Sequence, residues 1–159
     1  MRDDAEVVKE ALAWAKKLDK KDPKYLHHLT EAMWVTWGAN KIDAGLLETL
    51  LNSSDYHARA AAVHALRYNT DKIKNYKELF TKAAKDENGR VKLELIAAAS
   101  WLNPATGLEL MNAIDTTSLD KWNKPAYNTS FAHLNSKSVK PKSEDGSLRT
   151  TYKKINYYN

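Results

Sequence analysis

The sequence predicts an all-α fold, an α-solenoid of about four helix–turn–helix units. Three observations lead there. Gly and Pro are few, five and four in 159 residues, while Ala and Leu are plentiful, which favours helix. The chain repeats every 33 residues: Asp22, Asp55 and Asn88 each precede an apolar helical pattern, and seven residues past them stand Leu29, Ala62 and Leu95. The match continues at Ala32, Ala65 and Ala98, and at Met33, Leu66 and Ala99. A fixed period of about 20–50 residues marks stacked units that each bury an apolar face against a neighbour.

The first helix is predicted over 5–18, with Val8, Leu12, Ala15 and Leu18 close to one stripe. Asp22-Pro23 then supplies an N-cap and a Pro at the first helical position. The helix it opens runs through Leu26, Leu29, Met33 and Trp37 to Gly38-Ala39-Asn40, so the first pair spans about 5–39. Asp43 caps a short third helix carrying Leu46, Leu47, Leu50 and Leu51, and Asp55 caps a fourth over 56–68, making a second pair at 43–69. The third pair, 75–102, joins a helix with Leu79, Phe80, Ala83 and Ala84 to one over 90–102. Leu46 and Leu47 recur 33 residues on as Leu79 and Phe80, so the first helices also repeat. Asn103-Pro104 opens the last pair, 104–134, whose second helix over 119–134 contains Pro125. That Pro requires either a late start or a kink. Lys124 stands in the 33-residue register where Ala58 and Val91 stand, and with Pro125 it marks this unit as a terminal, capping repeat.

The repeat domain therefore covers 1–135. From Ser136 to Asn159 periodicity is lost, and Lys, Ser, Pro, Asp and Gly dominate. That segment is read as a basic polar tail or linker, or as the start of a following domain. Of the net charge of +5, the stretch from Lys137 onward supplies +4, from six Lys or Arg against two acids. The repeats are nearly neutral, and a solvated linker is the simpler reading of the tail than a polyanion-binding arm. The start, Met1-Arg2-Asp3-Asp4, runs directly into a helix, and the chain reads as a piece of a longer protein. No apolar run approaches the roughly 20 residues of a membrane span. Cysteine is absent, which excludes disulfides, thiolate catalysis, cysteine-ligated zinc and thioether-bound heme in this chain.

The second helices carry a more specific pattern. Ser54-Asp55-Tyr56-His57-Ala58-Arg59-Ala60-Ala61-Ala62 and Asn88-Gly89-Arg90-Val91-Lys92-Leu93-Glu94-Leu95 resemble HEAT-like repeats of the phycobilisome-lyase type. Each has an Asp or Asn at the turn, then Ala or Val followed by Arg or Lys, then an apolar helix. The basic residue is placed to bond carbonyls or acids of the adjacent unit. The run Leu29-Thr30-Glu31-Ala32-Met33-Trp34, with Leu46-Leu47 and Val91-Lys92-Leu93-Glu94, also resembles a segment of large bacterial proteins. Those proteins join a sugar-dehydrogenase-like propeller, a HEAT-like region and a heme-binding cytochrome c domain. The resemblance covers roughly residues 22–135. It implies a helical spacer of a periplasmic or secreted redox protein, with propeller cofactor and heme outside this chain. No catalytic or heme-ligating residue of that family finds a match here.

Individual residues add little chemistry. His27 and His28 point about 100° apart on a helix and make poor joint ligands of one metal. His57 and His64 share a face but lie two turns apart. Glu31 and Glu94 could form an acid–base pair; ion pairing with Arg90 or with the Arg59 row of a neighbouring unit is the favoured reading. Trp34, Trp37 and Trp101 are read first as interface packing. There is no phosphate loop, nucleophile elbow or His-Glu-x-x-His motif. No catalytic, cofactor-binding or metal-ligating residue is therefore assigned. The stripe holding His27, Glu31, Trp34, His64, Arg67 and Arg90 is the candidate contact face on the concave side. Its mixed charge suits a protein partner or a neighbouring domain. Nucleic acid would need a continuous basic row, as in a DNA-binding HEAT-like protein. The expectation is a monomeric, non-catalytic scaffold or protein-interaction module.

Overall fold

The computed structural model describes residues 4–138. Among these the chain is all-helical, with α1 (Asp4–Ala15), α2 (Tyr25–Gly38), α3 (Ala44–Leu51), α4 (Tyr56–Arg67), α5 (Tyr76–Ala84), α6 (Gly89–Ala99), α7 (Pro104–Asn112) and α8 (Asn123–Ser138). A 3-10 turn at Thr116–Ser118 lies between the last two.

Helices adjacent in sequence pack in pairs: α1 on α2, α3 on α4, α5 on α6 and α7 on α8. The second members also touch in turn, α2 on α4, α4 on α6 and α6 on α8. On the other side α3 meets α5 and α5 meets α7. The residues that recur in sequence are the ones that recur in the core. Leu29, Ala62 and Leu95 are buried, as are Ala32, Ala65, Ala98, Met33, Leu66 and Ala99. Ala at the middle position lets neighbouring second helices approach closely, while Leu47, Leu50 and Phe80 fill the space beneath them.

The same local device recurs at or just before the start of the second helices. The side chains of Asp22, Asp55 and Asn88 accept the amide of the residue two ahead, at 2.8, 2.9 and 2.9 Å. Orphan amides of a first helical turn are satisfied in this way. The fourth copy falls at Asp120, which takes the Trp122 and Asn123 amides at 2.8 and 2.7 Å. That is one residue short of the 33-residue register. The slip corrects the alignment of the last unit: Lys124 is exposed and does not occupy the place of buried Ala58 and Val91. Buried Asn123 lies there, its amide donating to the Gly89 carbonyl at 2.9 Å.

Other boundaries shift for local reasons. α1 ends at Ala15, with turns to Leu18, because its last amide bonds reach back only three residues. α2 begins at Tyr25: the Tyr25 amide bonds the Asp22 carbonyl, a tight turn that precedes the helix proper. Lys24 holds the N-cap position, and Asp22 caps the turn before it. Pro125 is resolved in favour of a late start, since it falls in the first turn of α8, where its missing N–H costs no intrahelical bond. α8 runs to Ser138, three residues beyond the predicted end of the repeat domain at 135. The rest of the proposed tail, 139–159, lies outside the described residues.

Candidate functional site

Arg59 and Lys92 each tie one unit to the next. Arg59 donates from Nε and Nη2 to Asp86 at 2.7 and 3.1 Å, and from Nη1 to the Ser53 and Ser54 carbonyls, both at 3.0 Å. Lys92 stands 33 residues later, is buried, and donates to Ser118 Oγ at 2.7 Å. Burial pushes the Asp86 carboxyl up. The Arg59 hydrogen bond, the Asn88 amide and the nearby positive charge outweigh that, and its pKa lies below the ordinary value. These basic residues face the next turn, as the sequence pattern suggested, and are spent on structure.

The exposed side of α2, α4 and α6 is different. Trp34 and Trp37 lie 5.3 Å apart by ring centroid, and both approach His64, at 6.2 and 6.1 Å. Trp37 stacks on Tyr68 at 5.5 Å, and Tyr68 meets the Trp101 edge at 5.4 Å. One row of rings thus crosses three units. Beside it lies a groove of about 590 Å³ lined by Trp34, Tyr56, His57, Ala61, His64 and Glu94, with Arg90 at its side. Glu94 organises the polar end, with Oε2 3.1 Å from His64 Nδ1 and Oε1 accepting from Arg90 Nη2 at 3.0 Å. The carboxylate is 12% exposed, so both partners are drawn over a nearly buried charge.

The candidate residues divide accordingly. Trp34, His64 and Arg90 line the groove, and Arg67 lies over the Tyr68 and Trp101 rings. His27 and Glu31 are exposed neighbours 3.9 Å apart and do not line it. Glu94 pairs across to the neighbouring unit, but with His64 and not with the Arg59 row. Trp34 and Trp37 pack partly against the core, in keeping with their structural reading, whereas Trp101 is 65% exposed. Tyr56 and Tyr68 were missed. A usable signal existed for Tyr68, which precedes Trp101 by one full period. Among the described residues no three His, Asp or Glu side chains gather as a metal site, and no helix is long and apolar enough to cross a membrane.

Geometry thus defines an all-α protein of paired helices with an aromatic face on its second helices. No protein-family model, curated protein or solved structure matches the chain.

Proposed function

We propose that this chain is a HEAT-like α-solenoid module that binds protein through the exposed, concave side of its second helices and performs no chemistry of its own. The observation that carries the reading is the continuous row from Trp34 through Trp37, His64 and Tyr68 to Trp101. Aromatic and Arg side chains on a shaped surface are the usual anchors of protein recognition. The 33-residue recurrence and the serial packing of α2, α4, α6 and α8 support the solenoid part. On this face Glu94 engages His64 and Arg90, and a row of rings with few basic side chains suits a peptide better than a phosphate backbone.

A photo-crosslinking side chain at Trp101 tests this. The expected product is a link to one defined protein or to a neighbouring domain of the same polypeptide, abolished by Tyr68→Ala. A same-chain product supports the spacer reading implied by the resemblance to propeller–HEAT–cytochrome proteins. Equal labelling at Trp122, which is exposed but outside the row, refutes the binding face.

A further inference from the structure

Arg67 is held without being neutralised. Its guanidinium carbon lies 4.6 Å from the Tyr68 ring centroid and 4.8 Å from that of Trp101. Its hydrogen bond goes from Nη2 to Tyr68 Oη, while Nε is buried and makes none. A guanidinium has five N–H donors in a planar fork. Among the described residues no carboxylate pairs with it, and Glu94, the acid next along the face, is already engaged by His64 and Arg90. The ring contacts and the bond to Tyr68 Oη restrain the fork in advance, which lowers the ordering cost of a bidentate contact.

A positive charge thus rests against two exposed rings that meet edge to face, with no carboxylate paired to it among the described residues. The same face also carries the exposed Trp101 ring and, toward the start of α4, the groove at Trp34 and Tyr56. We propose that Arg67, Tyr68 and Trp101 form a socket for an Asp or Glu side chain of an extended peptide, whose flanking apolar residues lie on Trp101 and in the Trp34–Tyr56 groove. This rests on the protein-binding reading of the same face and adds to it the chemistry of the partner. Charge complementarity decides the occupant: one free cation among rings takes one carboxylate, whereas a nucleic-acid strand needs repeated basic contacts.

The test is selection of a phage-displayed random peptide library on the whole chain, followed by titration of the synthetic winners by intrinsic Trp fluorescence. Winners share an acid next to an apolar residue. Converting that acid to its amide, or making Arg67→Gln, weakens binding roughly tenfold, and the two changes together cost no more than either alone. Arg67→Lys, which keeps the charge and loses the fork, restores only part. If the amide peptide and Arg67→Gln leave affinity unchanged while Trp34→Ala lowers it, the carboxylate socket is wrong and the binding face stands. Enrichment of no peptide over a Trp34→Ala, Tyr68→Ala, Trp101→Ala variant overturns both. Tighter binding of a polyuridine oligonucleotide than of any selected peptide overturns the partner class.

Discussion

Arg59 grips Asp86 with two donors, Nε at 2.7 Å and Nη2 at 3.1 Å, across 27 residues of chain. The same guanidinium holds two carbonyls of its own turn through Nη1. One side chain therefore joins the α3–α4 turn to the α5–α6 turn. Removing it leaves a carboxylate whose side chain is 9% exposed with the Asn88 amide but without its cation, and it takes a donor from the Ser53 and Ser54 carbonyls. Arg59→Met keeps the apolar stem and should destabilise by about 2–4 kcal/mol, the range for breaking one side of a largely buried pair. Arg59→Lys should recover part of this, since an ammonium cannot span both oxygens and both carbonyls. Urea denaturation measures the difference, and a cost below about 0.5 kcal/mol for Arg59→Met contradicts the link.

The same pair predicts an acid limb. Asp86 has a folded pKa below its unfolded value, so its contribution is present above the unfolded value and is lost as pH falls through the folded one. Asp55 is shifted in the same direction: burial raises it, and the His57 amide, ring and charge, with Arg59, more than reverse that. Thermal midpoints should therefore hold on acidification to about pH 4 and fall below it. Asp86→Asn lowers the midpoint at neutral pH and flattens the acid limb. An unchanged acid slope in that variant would falsify the assignment.

How much of this was legible in the sequence depends on what each residue does locally. The all-helical fold followed from the period and the caps, because Asp43, Asp55, Asn88 and Asn103 act on amides two or three residues away. The register of the last unit was not legible because its cap, Asp120, falls one residue short of the 33-residue period and is marked only by its hydrogen bonds to the Trp122 and Asn123 amides. On the candidate face, Trp34, His64, Arg67 and Arg90 were named from helical spacing. The Glu94–His64 link and the Tyr68–Trp101 contact depend on how far α4 sits from α6. Helix periodicity gives angular position around an axis and not the distance between axes.

The spacing of α7 from α6 and α8 is set tightly at Gly107. A Cβ there would sit 2.6 Å from the Ala99 carbonyl oxygen of α6 and 2.9 Å from Leu134 Cδ2 of α8. Helix propensity alone favours Ala over Gly by about 0.8–1 kcal/mol. The carbonyl is backbone and cannot swing aside, so α7 must move away from α6. Gly107→Ala should thus destabilise by about 1–3 kcal/mol, the cost of overpacking, against the sign of propensity. Chemical denaturation of that single variant decides between them, and a more stable protein would mean that the α6–α7 contact yields easily.

Lys92 offers the sharpest comparison with Arg59, because the two occupy equivalent places one period apart. Both reach forward to the next turn, yet Lys92 donates its one cross-unit hydrogen bond to a neutral hydroxyl, Ser118 Oγ. That hydroxyl also donates to the Asp115 carbonyl at 2.7 Å and stays satisfied without the lysine. Asp115 in turn accepts from the Thr117 hydroxyl and amide, which hold its carboxyl below the ordinary range. Lys92→Met therefore removes a buried ammonium and strands no anion. Replacing a buried charge by an apolar group of similar volume is often neutral or stabilising. The variant should lie within about 1 kcal/mol of the parent, on either side, while Arg59→Met loses several times that. Parallel urea titrations of the two variants read the contrast directly. Equal losses would mean that the Lys92 charge is compensated through Asp115 as fully as Arg59 is through Asp86, and that both inter-unit links depend on ion pairing.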